Sequence, residues 1–358
     1  MPQTTDWCYA VTYSIGGEFA ARLLNLFNLL VILGLLYSFI RQHCSHLAAI
    51  AICGLYATGP LVQVVTGSLV VENLLAALLF ASCIVFCAHL EGRGARQFAA
   101  GWLFLGLALS CNAGTLAFLP GLIALALYSA WKRPAGWKGW AVAACGLLIG
   151  LYFYAFALLA TRNPVFHYAN EILLSELMPR DAIGGEFREP LTWRTLWDVT
   201  FNSSRFIEGT DGAAGFQYFL LLPAGLIVMI WRRQTAALRV VAVALSALFF
   251  GFSQMSYLWY SYPALLVLMV PMALWLEEQH RGSSFQMEPD LRFRESSGIR
   301  PQPCTGAQHG RNAEPDCARR ARVFLPIRSH CRVRRHCIHN ELAYLSPEPR
   351  TIEFAGSG

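Results

Sequence analysis

Residues that could carry out chemistry concentrate in one polar interval, residues 162–215, and at the isolated acid Glu72. The interval contains eight acids and five arginines, whereas the stretches on both sides of it are mainly apolar. A carboxylate can act as a general base towards a hydroxyl group, and an arginine can hold a phosphate. We therefore expect any reaction to occur at the end of the molecule that this interval shares with the neighbouring short loops.

The composition places these residues on a membrane protein. Hydrophobic residues make up 55% of the 358 residues and charged residues only 14%, whereas a soluble domain carries about 25% charged residues. The sequence therefore predicts a polytopic protein in contact with membrane lipid. The formal net charge is +6, but 13 of the 28 cations lie in residues 280–358, and the membrane part has no basic stripe interleaved with aromatic residues. A nucleic-acid partner is therefore not expected.

Nine apolar runs predict about nine transmembrane spans in an all-α polytopic helix bundle. The runs cover residues 22–41, 46–65, 71–90, 98–111, 113–131, 139–161, 216–231, 235–252 and 255–276. Four of the turns are basic, at Arg41, at 93–96, at 132–138 and at 232–239. The positive-inside rule makes these turns cytoplasmic, which puts the N-terminus and residues 162–215 outside and the C-terminus inside.

The segments around the membrane helices at 22–161 and 216–278 differ in character. Residues 1–21 lack the basic start of a signal peptide and are expected to form an interfacial segment. Residues 162–215 contain two amphipathic pieces, expected to lie as helices in the outer interface, with an ordinary connecting loop as the alternative. Residues 279–358 are rich in Arg, Pro and His, so we expect a disordered tail that resembles out-of-frame translation. Its cysteines form no C-x-x-C pair, so no zinc site is predicted.

Five stretches resemble, in order, a known family of membrane enzymes. They are Ile15–Asn25, Thr66–Glu72, Asn163–Phe166, Leu221–Pro223 and Tyr257–Pro263. Ile15–Asn25 is similar to a Gly-Gly-Glu-x-Ala-Ala-Arg-Leu-Leu-Asn span entry, and Thr66–Glu72 to a small-residue stretch ending in an acid. Asn163–Phe166 is similar to a Gly-Asn-Pro-x-x-Pro element, Leu221–Pro223 to a Leu-Leu-Pro element and Tyr257–Pro263 to an Arg-Tyr-Leu-Leu-Pro-x-x-Pro element. These elements are typical of bacterial GT-C glycosyltransferases of the protein-mannosyltransferase-like group. The resemblance covers about residues 5–276 and depends on order and spacing.

The resemblance implies transfer of a sugar from a polyprenyl-phosphate donor to a lipid or protein acceptor at the outer face of a bacterial inner membrane. The reaction needs a general base, and cations or a divalent metal at the departing phosphate. No other cofactor is implied. The family begins with one more span and a loop that carries its key Asp, so we expect an N-terminally truncated fragment that is weak or inactive. Asn112 and Ser256 stand where the family often has Lys and Arg.

Glu72 is the leading candidate for the catalytic base, because an acid that flanks an apolar helix is costly unless it faces a cavity or water. A solvated acid at a helix end is the alternative. Asp6 is the second candidate, although Asp is also a typical helix cap. The donor-binding candidates are Arg162, Asn163, His167 and Arg180. For His167 the alternative is a place at the membrane interface, and for Arg180 a surface ion pair. No metal ligand is assigned.

Two functions of other classes remain open. A transporter or flippase predicts inverted repeats with broken helices in both halves of the chain, and only one break, at residues 112–114, is evident. A non-catalytic membrane protein of envelope assembly predicts that changes at Glu72 or Arg162 leave function intact.

Overall fold

The chain folds into α-helices, as its apolar runs predict. The computed structural model describes residues 4–166, 173, 175, 192, 194–206, 212–254 and 258–286. Across those ranges the regular structure is helical and contains no strand. The prediction of an all-α membrane bundle is thereby confirmed. Most of the first of the two predicted amphipathic pieces and the tail beyond residue 286 fall outside the described residues.

Thirteen α-helices occupy the described ranges. They are α1 (Thr4–Ile40), α2 (His46–Ala57), α3 (Pro60–Gly67), α4 (Glu72–Leu90), α5 (Ala95–Cys111), α6 (Leu119–Lys132), α7 (Gly136–Thr161), α8 (Thr195–Phe201), α9 (Gln217–Leu220), α10 (Leu222–Trp231), α11 (Thr235–Gln254), α12 (Tyr262–Val267) and α13 (Met269–Gln286). Short 3-10 turns lie at Ala113–Ala117, Ser203–Arg205 and Leu258–Ser261. Helix α13 thus extends eight residues into the segment predicted to be a disordered tail.

Every predicted apolar run corresponds to a helix or to consecutive helices. Five helical segments of the described chain are long and apolar enough to cross a bilayer, and the bent pair α2–α3 would be a sixth span. The other three runs form α5, α6 and the pair α9–α10, which are shorter. Since a crossing takes about 17 to 25 residues, spanning by these three segments stays a prediction.

Glycine and proline determine where the first helices bend. Helix α1 is interrupted at Gly16 and Gly17, where Gly17 has φ 64° and ψ −160°, a backbone conformation that glycine adopts without a Cβ clash. Helices α2 and α3 meet at an angle of 63°. Pro60 begins α3, since proline fits the first helical turn but cannot continue the preceding helix.

Helix α4 lies at the centre of the bundle and α7 at its edge. Helix α4 packs against α1, α5, α6, α11 and α12, and 72% of its most apolar 18-residue stretch is buried inside the bundle. Only 28% of the corresponding 18-residue stretch of α7 is buried. The rest of α7 carries exposed apolar side chains such as Leu148, Tyr152 and Phe156, which suit contact with lipid tails.

Glycines allow α5 and α7 to approach backbone to backbone. A Cβ built on Gly146 would lie 2.7 Å from the carbonyl oxygen of Trp102, and one built on Gly150 would lie 2.7 Å from that of Gly106. Small residues spaced four apart, as in Gly146 and Gly150, permit such close helix packing in membranes. The ring centroids of Phe98 and Trp140 are also 5.0 Å apart. The contacts Phe98–Trp140, Trp102–Gly146 and Gly106–Gly150 follow one another in the same order along both helices, so α5 and α7 run parallel.

The turns gather at two ends of the bundle, which we name the basic end and the Glu72 end. The basic end comprises residues 41–45, 91–96, 131–138 and 232–234. Its turns are joined by the pairs Arg93–Gln42, His89–Arg133, Ser45–Glu277 and Arg232–Glu278. The Glu72 end comprises residues 66–73, 111–118 and 161–166. The four turns that the sequence assigns to one membrane face therefore lie together, which places the candidate site at the opposite end.

Candidate functional site

A buried hydrogen-bonded cluster lies at the Glu72 end and joins four helices, α1, α3, α4 and α12. The Asn73 Nδ2 group donates to Asn25 Oδ1 at 2.9 Å and to Thr66 Oγ1 at 3.2 Å. The Tyr262 hydroxyl donates to Asn73 Oδ1 at 2.6 Å. Asn25, Asn73 and Tyr262 are fully buried. Buried amides need such partners, since an unsatisfied polar group in an apolar medium is costly. We call Asn25, Thr66, Asn73 and Tyr262 the amide cluster.

The amide cluster fixes the turn that leads into Glu72. Asn25 Nδ2 lies 2.8 Å from the carbonyl oxygen of Val65, 3.1 Å from that of Thr66 and 2.6 Å from that of Ser68. These carbonyls belong to the C-terminal turn of α3 and the residue that follows it, where helical carbonyls lack partners within the helix. One side chain of α1 therefore holds the whole turn between α3 and α4 in place.

Glu72 is the first residue of α4 and is 6% exposed. Its carboxylate interacts electrostatically with the hydroxyls of Tyr9 and Tyr262. Tyr9 also donates a hydrogen bond to the carbonyl oxygen of Val70 at 3.1 Å, so it lies over the same turn. An acid at a helix N-terminus is stabilised by the helix dipole. The alternative of a solvated acid at the helix end does not describe Glu72, because its side chain is buried.

Asp6, the second candidate base, lies at the same end of the bundle as Glu72. It is exposed near the start of α1 and interacts electrostatically with Tyr9 and with Cys111 at the end of α5. Both carboxylates thus lie within electrostatic range of Tyr9, although they are separated by 66 positions in the sequence. Asp6 occupies the first turn of α1, where it is also well placed to stabilise the helix N-terminus.

Arg22 is a cation at this end that is absent from the candidates chosen by sequence. Its Nη1 donates to the carbonyl oxygen of Gly67 at 3.2 Å, and it forms an ion pair with Glu18 on the preceding turn. Its side chain is 55% exposed. The sequence does contain a signal for it, because Glu18, Arg22 and Asn25 recur at helical spacing on one face of α1. Arg22 therefore presents a positive charge beside the turn that Asn25 holds.

The donor-binding candidates Arg162 and Asn163 lie where α7 ends. Arg162 is exposed and has a left-handed backbone with φ 59°. Asn163 is fully buried, and its Oδ1 accepts the backbone N–H of Val165 at 3.0 Å. This arrangement is an Asx turn, in which the Asn163 side chain stabilises the backbone turn that follows α7. His167 and Arg180, the other two candidates, fall outside the described residues, so their roles stay predictions.

Asn112 and Ser256 are two of the positions at which the sequence departs from the family pattern. Asn112 ends α5, and its Oδ1 accepts the backbone N–H of Gly114 at 2.8 Å, so it caps the turn between α5 and α6. Ser256 lies outside the described residues. Within the described ranges, no group of three His, Cys, Asp or Glu side chains forms a cluster that could hold a metal ion.

Comparison with solved structures gives two matches, both crystal structures of ArnT from Cupriavidus metallidurans. The apo structure matches with a TM-score of 0.51 and 20% sequence identity over 79% of this chain and 51% of ArnT. The chain shares the fold of GT-C membrane glycosyltransferases. The structure of ArnT bound to undecaprenyl phosphate matches with a TM-score of 0.49 and 17% identity, over 82% of this chain and 53% of that one. Neither the protein-family models nor the curated proteins give a match.

The GT-C fold confirms the resemblance found in the sequence at the level of architecture. The chain spans about half the length of the ArnT structures that it matches. Three of the five resembling stretches, Ile15–Asn25, Thr66–Glu72 and Tyr257–Pro263, meet around the amide cluster through Asn25, Thr66 and Tyr262. Three of the segments by which the sequence resembles the GT-C family are thus adjacent in space at the Glu72 end.

Replacing Asn73 with Leu tests the amide cluster. Leu has a similar size but removes three hydrogen bonds and leaves the Asn25 amide oxygen and the Tyr262 hydroxyl without this partner. Each bond between membrane helices contributes about 0.6 kcal/mol, and stranded buried groups add to the loss. We expect Asn73→Leu to lower the free energy of unfolding in detergent micelles by about 2 kcal/mol. Tyr262→Phe removes one bond and should cost less than half as much; equal stability of Asn73→Leu and wild type would contradict the cluster's role.

Proposed function

We propose that this chain is the membrane part of a glycosyltransferase that transfers a sugar from a polyprenyl-phosphate donor. The observation that carries the proposal is the GT-C fold combined with the buried Glu72 beside the amide cluster. The donor class follows from the family resemblance of the sequence. The acceptor is a hydroxyl group of a lipid or a protein.

Glu72 acts as the general base in this proposal. The acceptor oxygen attacks the anomeric carbon of the sugar and forms the new glycosidic bond while its proton passes to the Glu72 carboxylate. The bond between the anomeric carbon and the donor phosphate oxygen breaks, and polyprenyl phosphate leaves. Arg22 and Arg162 are exposed cations of this end, and in this proposal they neutralise the departing phosphate. His167 and Arg180 are proposed to join them.

The proposed reaction takes place on the outer face of a bacterial inner membrane. This orientation rests on the clustering of the basic turns at the opposite end of the bundle. Cys8 is exposed near the start of α1 at the Glu72 end. In a chain whose only cysteine is Cys8, a membrane-impermeant maleimide added to spheroplasts should label the protein without permeabilisation. A chain whose only cysteine is introduced by Arg96→Cys should require permeabilisation, and the reverse pattern would contradict the orientation.

Turnover by the full chain in lipid nanodiscs tests the proposed function. The donors are polyprenyl phosphates that carry a radiolabelled pentose or hexose, and the acceptors are extracted envelope lipids and envelope proteins. Transfer of label to an acceptor, above the level found with an unrelated membrane protein, is the expected result. A folded sample that binds neither the donor nor its polyprenyl phosphate product and transfers no label would overturn the proposal and favour a non-catalytic membrane protein.

A further inference from the structure

A basic cavity of about 330 Å³ lies at the end of the bundle opposite the candidate active site. It is lined by His89, Gly92, Gly94, Ala95, Lys132, Arg133 and Pro134. Its walls are the loop that joins α4 to α5 and the turn that joins α6 to α7. The amide cluster and Glu72 contribute no residue to it.

Specific contacts hold the two walls of this cavity together. The His89 ring bridges them, with Nδ1 3.2 Å from the carbonyl oxygen of Gly94 and Nε2 3.0 Å from that of Arg133. Arg133 Nε donates to the carbonyl oxygen of Leu90 at 3.1 Å. Gly92 has φ 90°, and a Cβ there would lie 2.9 Å from Arg133 Nη1. The guanidinium is thus seated against a backbone position that only glycine allows.

The charge of the cavity is positive. Lys132 and Arg133 line it and are exposed, and neither forms an ion pair with a carboxylate in the described part of the chain. The one acid in these two turns, Glu91, pairs with Arg93 at 3.2 Å. The N-terminus of the 17-residue helix α5 opens on the same cavity at Ala95. Exposed backbone N–H groups and the helix dipole there favour an anion.

Aromatic side chains beside the cavity indicate its depth in the membrane. Trp131 and Trp137 are 75% and 76% exposed, and the Lys132 ammonium lies 4.4 Å from the centroid of the Trp131 ring. Exposed tryptophans concentrate at the level of lipid headgroups. Cations lining a pocket between transmembrane helices at that depth match the headgroups of acidic lipids. A soluble anion would explain the positive charge but not the pair of exposed tryptophans.

We propose that this cavity binds the phosphate of an anionic phospholipid headgroup, with Lys132 and Arg133 as its cationic ligands and Trp131 and Trp137 at the headgroup interface. The proposal is independent of the proposed sugar transfer, because it depends on neither Glu72 nor a polyprenyl donor. It predicts a lipid that stays bound to the purified protein and supports the packing of α4, α5 and α6 at this end.

Titration of the purified full chain with defined lipids, read by native mass spectrometry, tests the proposal. The probes are phosphatidylglycerol, zwitterionic phosphatidylcholine and inorganic phosphate. We expect phosphatidylglycerol to bind at least fivefold more tightly than phosphatidylcholine, and inorganic phosphate at millimolar concentration not to displace it. Equal binding of the two lipids would overturn the proposal. Displacement by millimolar inorganic phosphate would also overturn it, since the ligand would then be a soluble anion.

Charge variants locate the lipid. Lys132→Gln and Arg133→Gln should each weaken phosphatidylglycerol binding about fivefold, the effect of one cation near a lipid surface. Lys138→Gln and Arg96→Gln are matched controls on exposed residues of the same end that do not line the cavity, and they should change binding less than twofold. Arg133→Lys should restore most of the affinity lost in Arg133→Gln, which separates charge from folding. Equal losses in all four Gln variants would mean diffuse surface attraction and would contradict a defined site.

Discussion

Replacing Glu72 with Gln is expected to slow sugar transfer by about 10²-fold or more while leaving the fold intact. A positioned general base contributes about 10² to 10⁴ in rate, and Gln keeps the size of Glu but cannot accept the acceptor's proton. Glu72 is buried against the turn that Asn25 and Tyr9 hold, so its position is fixed. The measurement is single-turnover transfer from a labelled polyprenyl-phosphate sugar, with binding of the donor measured separately.

Two matched variants make the Glu72 result specific. Glu18→Gln removes an exposed carboxylate on the same end, whose partner is Arg22, and should change the rate less than threefold. Asp6→Asn tests the other candidate base and should also have a small effect. Loss of turnover in Asp6→Asn with normal turnover in Glu72→Gln would transfer the role of base to Asp6. Unchanged turnover in both variants would contradict a carboxylate base among these candidates.

Replacing Gly146 with Leu is expected to separate α5 from α7 and to destabilise the bundle by about 3 kcal/mol. Overpacking costs about 1 to 3 kcal/mol, and the upper value applies because the obstacle is backbone. A Cβ at Gly146 would lie 2.7 Å from the carbonyl oxygen of Trp102 and 3.2 Å from the Cα of Leu103. A helix backbone cannot rotate away as a side chain can. The measurement is the free energy of unfolding in mixed micelles as denaturing detergent is increased.

Gly34→Leu is the control for this change. Gly34 lies in α1 and is exposed, and a Cβ added there would have no neighbouring atom within 4 Å, so the new side chain would face lipid. The same Gly-to-Leu replacement should therefore change stability by less than about 0.5 kcal/mol, the usual range for surface substitutions. Similar losses at both positions would show that helix propensity or detergent effects, rather than the contact between α5 and α7, determine the outcome.

The sequence predicts the helices well because hydrophobic runs determine them. Each of the nine apolar runs corresponds to helical structure, and the basic turns predicted to share a membrane face meet at one end. The break between α5 and α6 is predictable too, since the apolar runs stop at residues 112–114. The bend between α2 and α3 is less accessible, because residues 46–65 form one apolar run and a proline within a span is tolerated or starts a new helix depending on the neighbouring helices.

The site is harder to predict because its members come from distant positions. Glu72 can be chosen as a candidate from the sequence, because it is an acid beside an apolar helix. The role of its neighbour Asn73 is evident only in the structure, where Asn73 is hydrogen-bonded to Asn25 and Tyr262. The sequence contains an aromatic run, Tyr257, Trp259, Tyr260 and Tyr262, whose pattern is typical of span packing and interface anchoring. The Tyr262 hydroxyl in fact donates to the Asn73 amide oxygen within the bundle. Asn163 shows the converse, since a residue chosen for donor binding has its amide oxygen in an Asx turn.

The measurement that tests the central claim most directly is photocrosslinking with a diazirine-labelled polyprenyl phosphate. The full chain is reconstituted in nanodiscs rich in phosphatidylglycerol, which occupies general anionic sites, and adducts are mapped by peptide mass spectrometry. A site at the Glu72 end predicts adducts within residues 22–28 and 66–75 that unlabelled polyprenyl phosphate removes by competition. Adducts confined to the basic end, or adducts that unlabelled polyprenyl phosphate does not reduce, would contradict a polyprenyl-phosphate site beside Glu72.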